Sequence, residues 1–124
     1  MNKKEISEFE QVQAQLQGLY IEVSSFAKKK PDDAMNSFKL KLINQVIKKA
    51  NNLLAKRRPF DDFDQFEIDD LPSNSDIVVM ISQYLNSLEK LRADNIQSNM
   101  RRWYWVIEGK LSDIQTAEPK KIKD

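Results

Sequence analysis

Six apolar residues, Phe9, Val12, Leu16, Leu19, Val23 and Phe26, recur at alternating spacings of three and four. On a helix of 3.6 residues per turn this spacing gathers on one stripe, whereas on a strand it would scatter over both faces. The pattern predicts a first helix over about residues 3–27, with Gln11, Gln15, Glu22 and Ser25 largely opposite. Gly18 falls inside it, at a cost of about 1 kcal/mol relative to alanine. It reads either as a site of close backbone approach or as a tolerated residue. Lys28-Lys29-Lys30 suits the carbonyl end of that helix, and Pro31-Asp32-Asp33 the start of another, so a tight helical hairpin is expected.

The second helix is predicted over about residues 31–55. Its inward stripe is Met35, Phe38, Leu42, Val46, Ala50 and Leu53, flanked by Ile43, Ile47 and Leu54. Ser37, Lys41, Asn44, Lys48 and Asn51 fall opposite. A stripe this broad can contact two helices at once, which marks the segment as the centre of a bundle. Ser73-Asn74-Ser75-Asp76 has the form of a capping box and opens a third helix over about residues 73–97. Ile77, Ile81, Tyr84, Leu88 and Leu91 face inward there, with Ser82, Asn86, Glu89 and Ala93 outward.

Between the second and third helices, residues 59–72 carry six carboxylates and no base, yet Phe60, Phe63 and Phe66 recur every third position. Disordered tethers lack aromatic content of this density, so the rings are expected to pin the segment along the bundle while the acids face water. The segment is the one cluster of possible hard-cation ligands. Asp62-x-Asp64 begins like a calcium loop, but Phe66 and Glu67 stand where an oxygen ligand and a glycine are required. No metal site is expected, and no catalytic role is assigned to Asp69 and Asp70.

Helical periodicity stops at Arg101-Arg102-Trp103-Tyr104-Trp105-Val106-Ile107. This run holds both tryptophans, and Gly109 follows where a strand would reverse, so a β-hairpin over about residues 102–116 is the simplest reading. Trp103, Trp105 and Ile107 would share one face, with Tyr104 and Val106 on the other. The hairpin is either a lid on the helical core or a contact surface. Residues 117–124 read as a frayed basic tail.

Composition narrows the function. Cysteine and histidine are both absent, which removes disulfides, thiolate chemistry, Cys/His zinc sites and imidazole acid–base catalysis. The amino-terminal residues show no apolar leader, and no apolar run approaches the roughly 18 residues of a membrane span. The expected setting is cytoplasmic, with no membrane contact and no cofactor. At 40 % apolar content, 124 residues support one domain, residues 1–124. The expected fold is mainly α, a three-helix up-down-up bundle with a short C-terminal β-hairpin. A net charge of +1 argues against a strongly basic nucleic-acid surface. The leading expectation is a non-catalytic, macromolecule-binding protein: an adaptor, regulator or small subunit of a larger assembly. Its partner-binding residues would be Arg101, Arg102, Trp103, Tyr104 and Trp105. Self-association is a further option, since Ile21 and Val79 lie off the apolar stripes. The alternative is a nucleic-acid-associated protein using Lys56, Arg57, Arg58, Arg101 and Arg102, arginine on phosphate and rings on bases. A metal- or carboxylate-dependent enzyme ranks third.

Overall fold

The computed structural model describes residues 1–121. It is mostly helical, with three α-helices and a small three-stranded antiparallel sheet. Helix α1 is Lys3–Lys29, α2 is Ser37–Leu54 and α3 is Asn74–Ala93; the strands are β1 (Ile96–Asn99), β2 (Arg102–Ile107) and β3 (Lys110–Thr116). Each helix begins on a side-chain cap. Asn2 forms a reciprocal box with Glu5, Asn36 accepts from the amides of Phe38 and Lys39, and Ser73 forms the expected box with Asp76. These oxygens satisfy amides that have no intrahelical partner.

α1 packs most extensively on α3 and less on α2. Their shared core holds Phe9, Leu16, Ile43, Ile47, Ile81 and Leu88, all essentially excluded from solvent. The buried face of α2 is rotated from the one expected. Leu40, Ile43, Val46, Ile47, Ala50 and Leu54 point inward, whereas Phe38 is 68 % and Leu42 44 % exposed. Two apolar rows compete on this broad helix, and the Ile43–Ile47–Ala50–Leu54 row is the one α1 and α3 cover. Gly18 is not a close-approach site: a β-carbon built there would meet open space.

α2 also starts six residues later than the proline implied. Residues 31–35 lie beside the start of α3 instead: Met35 N–H donates to Pro72 O, Asn74 N–H to Asp33 O and Ser75 N–H to Pro31 O, and Ala34 forms a bridge with Ser73. Backbone groups spent on that pairing cannot close helical turns. α3 likewise ends at Ala93 rather than near residue 97. Asn95 folds its amide back onto Leu91 O, and Ile96 enters the sheet.

The acidic linker is pinned, by two of its three rings and by asparagines. Phe66 is buried and Phe63 half-buried, edge to face at 5.1 Å, with Phe63 tilted against Tyr84 at 6.3 Å; Phe60 remains 45 % exposed. Asn44 donates to Phe66 O and accepts from Phe66 N–H, both at 2.9 Å. Asn51, one heptad on, donates to Asp64 O and accepts the Tyr84 hydroxyl at 2.6 Å. Burial raises the Tyr84 phenol above its ordinary value; the hydroxyl is the donor because Asn51 turns its amide nitrogen to Asp64 O and offers its oxygen to Tyr84. Both asparagines fall opposite the apolar stripe expected for α2, yet they hold the linker.

β2 and β3 pair across Glu108-Gly109, whose φ values of 51° and 77° suit a two-residue mirror-image turn. β1 adds a strand that the sequence reading did not contain, so the hairpin is part of a meander in the order β1-β2-β3. Its turn, Met100-Arg101, also has positive φ at both residues, 51° and 68°, without a glycine.

Candidate functional site

The sheet has two faces with different fates. Ile96 pairs with Trp105 and Ser98 with Trp103 in β1–β2, and Trp103 with Thr116 in β2–β3, so these side chains share the inner side. Trp105 is completely buried, its ring T-shaped on Phe9 at 5.2 Å and its Nε1–H donating to Glu10 at 3.2 Å. Trp103, Ile107 and Ile114 are half-buried against the same core. Trp105 is therefore a core residue, and Trp103 belongs to the lid face. Neither lies on the sheet's solvent side.

The outer side carries Tyr104 and Val106 on the central strand and Leu111 directly opposite Val106 on β3. Tyr104 and Val106 are half-buried, and Leu111 is 39 % exposed. At one end of this face Met100 protrudes at 89 % exposure. Arg101 and Arg102 beside it are exposed and make no ion pair among the described residues. The alternation of side chains had put Tyr104 and Val106 together; Met100 and Leu111 join them only once β1 and β3 are placed.

The two basic clusters are not brought together. Arg57 pairs with Asp94 at 2.6 Å and Arg58 with Asp64 at 2.8 Å. That places the Lys56–Arg58 segment at the end of the sheet where Asn95 O accepts from Val106 N–H. Arg101 and Arg102 sit at the opposite end, about 13 Å away along four residues of β1. Lys56 is exposed. Among the described residues, no three carboxylates converge as a metal ion would require, and no helix is long and apolar enough to cross a membrane.

A polar site escaped the sequence reading. Glu89, expected to face solvent, is 5 % exposed and Arg92 3 %. Arg92 uses all five guanidinium protons. Nε and Nη2 grip both Glu89 oxygens at 2.9 and 2.7 Å. Nη1 reaches Thr116 Oγ1 and Ala117 O at 2.9 and 2.7 Å, and Nη2 also reaches Glu118 O at 2.9 Å. Lys120 N–H donates to Glu89 at 2.9 Å. Burial raises the Glu89 pKa, but the bonds from Arg92 and Lys120 outweigh it and hold the carboxyl below its ordinary value. Residues 117–120 are thus clasped onto α3 rather than frayed; residues 122–124 of that expected tail lie outside the described residues. The one hint in the sequence was an acid and a base three apart on a helix.

Compared with protein-family models, curated proteins and solved structures, the chain shows no significant match to any of them.

Proposed function

We propose that this chain is a non-catalytic, cytoplasmic protein-binding module, an adaptor, regulator or small subunit, in which an up-down-up helical bundle carries the sheet and the outer sheet face meets the partner. The observation that carries this reading is the division of labour within the meander. Trp105 anchors the inner face in the core, so Tyr104, Val106 and Leu111 lie on the opposite face, outside the core cluster. A large ring flanked by aliphatic side chains, with arginines at its rim, has the composition of an interface hot spot. Met100, Arg101 and Arg102 extend the surface at one end. Of the five residues first assigned to partner binding, this proposal retains Arg101, Arg102 and Tyr104, and gives Trp103 and Trp105 to the anchor.

Affinity capture from native cells, with the captured proteins identified by mass spectrometry, tests the proposal. Tyr104→Ala and Leu111→Asp should each abolish recovery of the partner while shifting the thermal melt little. Trp105→Ala should lose the partner only through loss of folding. Salt-sensitive binding of single-stranded oligonucleotides, lost in the Arg101→Ala, Arg102→Ala variant, would overturn the proposal in favour of nucleic-acid association.

A further inference from the structure

The chain segregates its charges into two adjacent walls. α2 contains four lysines and no acidic residue, while the linker over residues 59–72 contains six acids and no base. The asparagine contacts to Phe66 and Asp64 lay the linker alongside α2, and a surface groove of about 630 Å³ runs between them. Lys41 and Lys48 line one wall; Glu67 and Asp69 line the other. All four are exposed, and none makes an ion pair among the described residues. One uncovered apolar side chain, Ile68 (38 % exposed), lies in the groove between the walls.

We infer that this face is a homodimer interface, its occupant a second copy of the same chain. A two-fold interface brings a patch onto itself, so the patch must be self-complementary. Parallel stripes of opposite charge meet that condition in one arrangement. With the two-fold axis parallel to the groove, each lysine wall lies on the partner's acidic wall; with the axis across the groove, like walls would meet and repel. Charge thus selects the arrangement, and the exposed Ile68 supplies apolar surface within the groove for the contact to cover. The inference is independent of the outer sheet face and stands or falls without it.

Sedimentation equilibrium of the full chain tests it. At low salt and roughly 100 µM protein, where charge pairing at a partly wet interface is least screened, the mass should approach twice the 14.5 kDa of one chain. Raising the salt to roughly 500 mM should dissociate it. Lys41→Glu with Lys48→Glu should be monomeric, as should Glu67→Lys with Asp69→Lys. An equimolar mixture of these two variants should recover the dimer, because one then presents two acidic walls and the other two basic ones. Circular dichroism establishes that each variant is folded; if a reversal variant is not, Lys41→Gln with Lys48→Gln carries the test and should weaken dimerisation at least tenfold. The inference is overturned by a monomer at low salt, by a dimer indifferent to salt or to either charge reversal, by a mixture that stays monomeric, or by open-ended association beyond two copies.

Discussion

Arg92→Ala is the substitution whose consequences the structure specifies most fully. It deletes five hydrogen bonds, two to Glu89 and three to residues 116–118, and leaves the Glu89 carboxylate almost out of water. Removing one member of a buried ion pair typically costs about 3–5 kcal/mol, because the remaining charge keeps its desolvation penalty without compensation. Against a total stability of roughly 5–15 kcal/mol, that loss should lower the melting temperature of a domain this size by on the order of 10–20 °C. The pH dependence separates this cause from simple loss of packing. In the native protein the folded Glu89 pKa lies below its unfolded value. Its contribution is therefore present above the unfolded pKa and lost as pH falls through the folded one. In Arg92→Ala burial persists while the main opposing bonds are gone, so the folded pKa should rise above the unfolded value and the linkage reverses sign. The stability gap between variant and wild type should then be widest near neutrality and narrow as the pH approaches about 4, where an unfolded glutamate titrates. Urea melts at both pH values, with amide exchange at Lys120 as a local probe of the clasp, check this. A loss under about 1 kcal/mol, or a gap equal at both pH values, would refute the reasoning.

Three further outcomes are expected. Gly18→Ala should stabilise the protein by about 0.5–1 kcal/mol in denaturant melts, since the added methyl meets open space and the helix loses a flexible residue. Phe66→Ala should cost roughly 3–5 kcal/mol, Phe63→Ala roughly 2 kcal/mol and Phe60→Ala under 1 kcal/mol, following the burial order of the three rings. Replacing Met100-Arg101 by Asn-Gly should raise stability by about 1–2 kcal/mol, because both positions hold positive φ without a glycine; an unchanged or lowered melting temperature would count against the turn geometry.

The three helices were legible because each carries its own apolar period and its own start signal, Ser73-x-x-Asp76 being the clearest. The β2–β3 hairpin was legible from Gly109 and the aromatic run, and strand alternation alone placed Trp103, Trp105 and Ile107 on one side. Less of the candidate site could be read. Nothing in Ile96-Gln97-Ser98-Asn99 announces a strand; it becomes one because β2 offers unpaired backbone groups beside it. Until β1 is in place Met100 has no turn to occupy, and until the sheet docks on Phe9 neither face is inner or outer.

Sequence by itself determined which segments would be helical, where the last turn would fall, and that acids and bases would be segregated along the chain. Those properties depend on residues within a few positions of one another, over which periodicity, capping and turn preference act. Tertiary structure alone decided which of two apolar rows on α2 is buried, that residues 31–35 lie along the start of α3 instead of coiling, and that Glu89 and Arg92 are enclosed. Each of those outcomes is set by a neighbour tens of residues away: α1 and α3 for the α2 row, Pro72 to Ser75 for the extended segment, residues 116–120 for the clasp. A side chain's own pattern states which face it shares; what covers that face is decided by the elements that pack against it.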